Sequence, residues 1–248
     1  MPKRAATTTL TVSGPKKKTK NAKYNKRYTS RRPMGQVGLR PGFSYQTGFP
    51  KMLRFTHKYV TSFKLTERAG INYDYWWISC NGMYAPEGTF TGHQPYYFDQ
   101  VTPLYDHYTV IGSRVVWTIT RSSPNIGSAL TTPIQGACAI MDSSTPLAVG
   151  QALQAAEKPS GVPFTIGSLE SSQGRVVVEQ SWSAKKAFGS ATISDPALQG
   201  SVASNPTEQQ WFYIQINPDP AIPEDIIYVQ AEVHYVAVWQ ELKTVAQS

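Results

Sequence analysis

The chain has 248 residues, of which 40% are hydrophobic and 12% aromatic, and its formal net charge is +8. A chain of this length and apolar content can bury a substantial core, which excludes a wholly disordered protein. It contains no apolar run long enough to span a bilayer, and its basic start is not followed by an apolar stretch. We therefore expect neither membrane insertion nor a secretory signal.

The positive charge is concentrated at the N-terminal end of the chain. Residues 1–54 contain 14 of the 24 Lys and Arg and none of the 16 Asp and Glu, so they carry +14, while residues 55–248 carry −6. This separation predicts a basic arm on a mildly acidic folded body, with a polyanion as the partner of the arm.

We predict that the arm spans residues 1–45 and the folded domain residues 46–248. The arm has almost no apolar periodicity, so it cannot bury enough surface to offset the entropy lost on ordering, and we expect disorder in the free chain. Its cations would bind nucleic acid by releasing counterions from phosphates, and its interleaved tyrosines can stack on unpaired bases. The predicted nucleic-acid-binding residues are Lys3, Arg4, Lys16, Lys17, Lys18, Lys20, Lys23, Tyr24, Lys26, Arg27, Tyr28, Arg31, Arg32 and Arg40.

Within the arm, the run PKKKTK is a basic cluster of the kind that nuclear import receptors bind. The predicted nuclear-localisation residues are Lys16, Lys17, Lys18 and Lys20. They imply a nuclear import receptor as a partner and a period in the nucleus. The alternative interpretation is an unstructured tail that only improves solubility.

The folded domain begins with a strand at residues 51–66, where polar and apolar side chains alternate. Its apolar side chains stand at odd positions, namely Leu53, Phe55, Tyr59, Phe63 and Leu65. The last segment, IIYVQAEVHYVAVWQE, alternates equally well and predicts the final strand. His57 and His234 lie in these strands and are interpreted as ordinary packing or surface residues.

Six further strands and one short helix are predicted between these two. The strands are 72–81, 108–121, 134–142, 174–182, 185–193 and 209–217, and the helix is 148–158. Lettered B to I in chain order, the eight strands have long C–D, E–F and G–H connections, at about 82–107, 143–173 and 194–208. The other connections are short, at about 67–71, 122–133, 183–184 and 218–225. This alternation predicts an all-β, eight-stranded jelly-roll sandwich, whereas an immunoglobulin-like sandwich would require a Cys–Trp–Cys spacing that is absent.

Neither cysteine shows metal-ligand spacing. Cys80 and Cys138 lie in apolar runs without a neighbouring Cys or His, which argues against a zinc site. One disulfide is arithmetically possible, but buried free thiols fit the surrounding sequence better and are compatible with assembly in a reducing compartment.

The predicted C–D loop contains titratable residues that could suggest an active site, namely His93, Asp99, Asp106 and His107. They lie outside any nucleophile-elbow or H-E-x-x-H pattern, so we predict no catalytic residue, no cofactor and no metal site. A calcium site at Glu87 or Asp99 is the weaker alternative, since oxygen ligands from loops follow no spacing rule.

Aromatic side chains form a second group that could carry function. Most tryptophans lie in predicted strands and are interpreted as core residues, with a lectin-like sugar platform as the alternative. Tyr96, Tyr97 and Phe98 are consecutive aromatics in a loop, and we predict that they contact a neighbouring subunit.

The segment 81–119 resembles coat proteins of circular Rep-encoding single-stranded DNA viruses, including circovirus-like groups. The similar elements are Asn81-Gly82, Gly92-His93-Gln94-Pro95, Asp99-Gln100, and Tyr105 and Tyr108 before a Val-rich strand. The final strand, YVQAEVHYVAVWQEL, is similar as well. Circovirus arms are dominated by arginine, whereas this arm is lysine-rich, which places the chain outside the circovirus genus itself.

The resemblance implies a capsid protein that self-assembles into an icosahedral shell, of sixty copies in the simplest case, and packages circular single-stranded DNA through its arm. The implied location is the virion, and the implied external partner is a host cell-surface receptor, with a glycan as one candidate. The alternatives are a non-assembling viral nucleic-acid carrier, such as a nuclear shuttle or movement protein, and a carbohydrate-binding β-sandwich.

Overall fold

The fold was derived from a computed structural model. It describes residues 49–66, 75–88, 92–122, 133–145, 147–148, 151–167, 174–189, 193–217 and 226–244. The predicted arm lies outside the described residues, and the boundary between arm and domain stays a prediction. None of the described helices is both long enough and apolar enough to cross a membrane.

The described residues are mainly β-strands. The strands are β1 (Leu53–Thr66), β2 (Tyr75–Ser79), β3 (Tyr105–Ser122), β4 (Ile134–Met141), β5 (Val162–Ile166), β6 (Arg175–Ser183), β7 (Gly200–Ser201), β8 (Trp211–Asn217) and β9 (Ile226–Leu242). Three short α-helices join them, α1 (Phe98–Val101), α2 (Ala152–Ala156) and α3 (Ala184–Phe188), together with a 3-10 turn at Pro196–Leu198.

The strands form two antiparallel sheets that enclose one core. The first sheet has the order β1-β9-β3-β6, with β7 paired to β3, and the second has the order β2-β8-β4-β5. With the two-residue β7 set aside, the remaining eight strands in chain order are B to I, so the sheets read B-I-D-G and C-H-E-F. That strand order is a jelly roll, and the predicted fold is confirmed.

The first and last strands have the alternation that the sequence predicts. β1 pairs with β9 along its whole length, from Leu53 opposite Trp239 to Thr66 opposite Ile226. Tyr59 and Leu65 are buried, while the even-numbered side chains between them are mostly exposed. Because one face packs on the core and the other meets solvent, the period of two is retained along both strands.

The second sheet is covered on both faces, which explains why β8 is buried along almost its whole length. Six of its seven residues are buried, and only Asn217 is partly exposed. On the outer face, the Tyr213 hydroxyl accepts a hydrogen bond from the Leu147 N–H at 3.2 Å, and the Asn217 side-chain oxygen accepts one from the Ala152 N–H at 2.9 Å. The E–F connection and α2 therefore lie over this face.

Strands F and G, the fifth and sixth strands of the jelly roll, differ from the prediction. The segment predicted as strand F, 174–182, corresponds to strand G (β6), and strand F is β5, inside the predicted E–F loop. Pro163 and the short length of β5 hid its signal, but proline is tolerated there because β5 lies at a sheet edge. The predicted strand 185–193 is wrong, since the helix α3 occupies Ala184–Phe188 and is followed by Gly189, whose φ is 96°.

The loop pattern persists with shifted boundaries. The C–D, E–F and G–H connections span 80–104, 142–161 and 184–210, and the other four are shorter. The predicted F–G connection at 183–184 is wrong, because the chain passes from β5 to β6 through 167–174. The short helix predicted at 148–158 is confirmed by α2, and both cysteines are buried free thiols, as predicted.

The pairing of β5 with β4 can be tested at Gly136, which is opposite Phe164. A Cβ at Gly136 would overlap Cζ of Phe164 and lie 2.6 Å from the carbonyl oxygen of Gln215. We expect Gly136→Ala to lower the free energy of unfolding by about 1–3 kcal/mol, measured by urea denaturation.

The matched control is Gly174→Ala, because no atom of the described residues would lie within 4 Å of a Cβ at Gly174. Its effect should stay within about 0.5 kcal/mol. Equal stability of the two variants would contradict the observed register.

Candidate functional site

The residues predicted to bind nucleic acid and import receptors, from Lys3 to Arg40, all lie outside the described residues. Their roles therefore stay predictions. The described part of the chain contains the other predicted site, the aromatic run in the C–D loop.

The three aromatics of this run do not share one environment. The side chains of Tyr96 and Tyr97 are 66% and 46% exposed, whereas Phe98 is 1% exposed. Phe98 begins α1 and packs its ring 5.3 Å from that of Trp239 and 5.6 Å from that of Tyr108. The prediction that Phe98 contacts a neighbouring subunit is therefore corrected, because its side chain belongs to the core.

Backbone geometry separates the two exposed tyrosines from Phe98. Tyr97 has φ 69°, in the left-handed region that a tyrosine adopts at an energetic cost. Its ring lies 4.1 Å from that of Tyr96 and makes an edge contact with Phe55 at 5.8 Å. We name Phe55, Tyr96 and Tyr97 the aromatic corner. Its exposed rings form the kind of apolar surface that marks an interaction site.

His57 fixes the backbone beneath the aromatic corner. Its Nε2 accepts a hydrogen bond from the Trp239 indole N–H at 2.9 Å, so this nitrogen is unprotonated. Its Nδ1 therefore carries the proton and donates to the Tyr96 carbonyl oxygen, 3.0 Å away. Burial lowers the pKa of His57, and the bond to Tyr96 only partly opposes that shift. The neutral imidazole thus ties the loop to the core.

The interpretation of His57 as an ordinary packing residue understates this role. The signal was present in the sequence, because residue 57 stands in the odd, inward-facing phase of β1, where a polar side chain needs buried partners. His234 stands in the opposite phase and pairs with Glu232 at the surface, 2.8 Å away. The two histidines differ in function because they lie on opposite faces of one sheet.

The titratable residues considered for catalysis are dispersed among separate contacts. His107 pairs with Glu241 at 2.8 Å, and Asp106 with Lys243 at 3.4 Å, both at the end of β9. His93 instead stacks on Tyr59, with ring centroids 4.6 Å apart. Over the described ranges, no group of three or more His, Cys, Asp or Glu could hold a metal ion.

The rest of the C–D loop is held against the G–H loop. Asn205 forms two hydrogen bonds with the backbone of Ala85, at 2.9 and 3.1 Å, and Asn81 donates to the Glu208 carbonyl oxygen at 2.8 Å. The buried Tyr108 hydroxyl accepts from the Met83 N–H at 2.9 Å. The two long loops therefore form one rigid unit at this end of the sandwich.

No known protein-family profile matches the sequence, and no curated protein matches it. Solved structures similar in fold include a semi-empty virus-like particle of Macrobrachium rosenbergii nodavirus, with TM-score 0.43, 11% identity and coverage of 79% of this chain and 95% of that chain. The decameric BFDV capsid protein gives TM-score 0.41, 8% identity and coverage of 76% and 99%. Turnip yellow mosaic virus gives TM-score 0.38, 12% identity and coverage of 81% and 87%. These values are low, so the jelly-roll assignment rests on the strand order of the chain itself.

The hydrogen bonds of His57 predict a pH-dependent stability. Because its pKa is lower in the folded chain than the ordinary 6.5, the folded chain binds fewer protons than the unfolded chain at acidic pH. The free energy of unfolding should therefore fall below about pH 6.5, by up to about 1.4 kcal/mol per pH unit from this residue. Urea denaturation at about pH 7.5 and about pH 5.5 measures this loss.

The control variant is His57→Gln, which keeps a donor and an acceptor but has no proton to gain in this range. The other histidines contribute equally to both proteins, so the difference between them isolates residue 57. An identical pH dependence in both proteins would contradict the assigned hydrogen bonds.

Proposed function

We propose that this chain is the capsid subunit of a virus with a circular single-stranded DNA genome. Its jelly-roll domain assembles into an icosahedral shell, and its basic arm packages the genome. The proposed role is structural rather than enzymatic. The proposal rests on two features that occur in one chain. The first is a sandwich with the strand order B-I-D-G and C-H-E-F, and the second is an N-terminal segment, residues 1–54, that contains no Asp or Glu and carries +14.

The charge of the arm supports packaging without sequence recognition. Residues 1–54 carry +14, so sixty copies of this segment would supply roughly 840 positive charges, which could offset a similar number of phosphates. Lysine binds phosphate as a point charge and needs no fixed geometry, so a flexible arm suffices. The lysine cluster at Lys16–Lys20 would also engage the import receptor that brings the subunit to the nucleus.

The folded domain supports assembly through its rigid loops. Subunits in a closed shell repeat the same contact many times, so each contact needs a surface with little conformational freedom. Tyr96 and Tyr97 supply exposed rings on a backbone fixed by His57, and Glu87 ties the same loop to β1 through a 2.8 Å hydrogen bond from Tyr59. This supports the aromatic corner as a subunit contact.

Particle formation is the direct test. Purified full-length chain should form uniform shells that contain nucleic acid, as observed by negative-stain microscopy and by the absorbance ratio at nucleic-acid and protein wavelengths. A chain without residues 1–32 should still form shells but should lose salt-dependent binding of single-stranded DNA. Monomers or small oligomers under every assembly condition would contradict the capsid role and favour the non-assembling carrier.

Charge-matched variants keep the packaging test specific to the arm. Lys17→Gln with Lys18→Gln should reduce the slope of log K against log salt concentration by about 1.4 for single-stranded DNA. Lys185→Gln with Lys186→Gln removes the same charge from the exposed helix α3 and should leave the slope unchanged. Equal slopes for the two double variants would contradict the role of the arm.

The aromatic corner is tested by Tyr96→Ala combined with Tyr97→Gly. Glycine accepts φ 69° without strain, so the folded subunit should keep its melting temperature. Loss of two exposed aromatic contacts should raise the protein concentration needed for shell assembly by about tenfold or more, measured by light scattering.

The comparison variant is Tyr228→Ala, which removes a tyrosine that is 42% exposed on the outer face of β9. It should assemble like the unmodified chain. Unchanged assembly of the double variant would exclude the aromatic corner from the subunit contacts. It would not contradict the capsid role, which is tested by particle formation.

A further inference from the structure

A cavity of about 370 Å³ lies where the three long loops meet the second sheet. This volume falls within the range of small-molecule sites, about 300–1,000 Å³. The C–D loop, the E–F loop, the G–H loop and the strands β2 and β8 all contribute to it. Its lining residues are Trp77, Tyr84, Ala85, Gly88, Ser144, Ala203, Ser204, Asn205, Gln209 and Trp211.

Two indole rings supply the apolar surface of the cavity, and a glycine leaves them accessible. Gly88 adopts φ 68°, and a Cβ there would lie 3.2 Å from Cη2 of Trp211 and 3.3 Å from Nε1 of Trp77. A side chain at this position would therefore cover the edge of one indole and the N–H of the other. Trp77 itself stacks on Tyr75 at 5.4 Å, which holds its ring in place.

The walls of the cavity are already formed without a ligand. Asn205 is held by its two hydrogen bonds to Ala85, and it packs so closely on Gly82 that a Cβ there would lie 2.6 Å from its Cγ. A preformed cavity spares the ligand the entropic cost of ordering loops.

Two donors in the lining lack a protein acceptor among the described residues. The Gln209 Oε1 accepts from the Ser79 hydroxyl and from the Asn205 side-chain amide, both at 3.3 Å, which directs its NH₂ group away from those partners. The indole N–H of Trp77 is the second such donor, and Gly88 leaves it uncovered. Both donors would be satisfied by a ligand that carries neutral oxygen acceptors.

The electrostatics of the cavity disfavour charged ligands. Among the described residues that line it, none is Lys, Arg, His, Asp or Glu. The charged residues within two positions of a lining residue in sequence are Glu87, Asp142 and Glu208, all acidic. An anionic ligand such as a phosphate, a sulfated sugar or a sialylated sugar would find no compensating cation among the described lining residues.

We propose that this cavity binds a neutral saccharide. A pyranose ring presents an apolar face of C–H groups to aromatic rings and a rim of hydroxyl oxygens to hydrogen-bond donors. That combination matches the two indoles, the Gln209 amide and the Trp77 N–H. The described lining residues all belong to one chain, so the proposed binding can be tested separately from shell assembly and DNA binding.

The experiment titrates the full-length chain with methyl glycosides of neutral hexoses and N-acetylhexosamines. Tryptophan fluorescence and saturation-transfer NMR measure the binding, and sialyllactose and heparin are the anionic probes. We expect saturable binding of at least one neutral glycoside at about millimolar Kd or tighter. Trp77→Phe should weaken this binding about three- to tenfold, because it removes one donor and keeps a smaller aromatic ring.

A blocking variant and its control decide whether the cavity is the site. Ala203 is exposed at the rim, so Ala203→Trp should fill the cavity and reduce the affinity at least tenfold without loss of melting temperature. Ala187→Trp adds the same side chain to exposed α3, outside the lining, and should bind normally. Absence of saturable binding, equal binding by the two tryptophan variants, or preference for the anionic probes would each overturn the proposal. None of these outcomes depends on particle formation.

Discussion

The insertion of β9 between β1 and β3 is the constraint on which the described structure depends. β9 is the last strand, yet it pairs with β1 over the full length of that strand and with β3 from Tyr105 to Ser122. These pairings join parts of the chain that are far apart in sequence, so their closure entropy is large and must be recovered by burial of the alternating apolar face. The first sheet is therefore completed only when the C-terminal strand is in place.

The same pairing positions the aromatic corner. Trp239 and His57 point to the inner side of the sheet on neighbouring strands, which brings the indole N–H within reach of the imidazole. The imidazole then holds the carbonyl of Tyr96. An exposed loop thus takes its conformation from two strands at opposite ends of the chain, and its tyrosines become available to a partner because Phe98 takes the buried position.

The two sheets differ in what covers their outer faces. On the first sheet, cross-strand ion pairs such as Lys58–Glu232 at 2.8 Å leave a polar surface. On the second sheet, α2 and the E–F connection bury Tyr213 and its neighbours, and the C–D and G–H loops complete the cavity above Trp77 and Trp211. A surface that can bind a small neutral ligand is thereby separated from a surface that carries charge.

Features that a local sequence pattern encodes could be predicted before the structure was known. Alternation identified β1 and β9, the spacing of long and short connections identified the jelly roll, and charge segregation identified the basic arm, whose function stays a proposal. Which side chains acquire partners depends on the packing of distant segments, so the folded structure was needed to find them. β5 is too short and contains Pro163, so its strand character comes from pairing with β4. The burial of Phe98, the role of His57 and the cavity at Trp77 likewise depend on neighbours distant in sequence. A periodic pattern indicates that one face of a strand is buried, but it does not show which atoms cover that face.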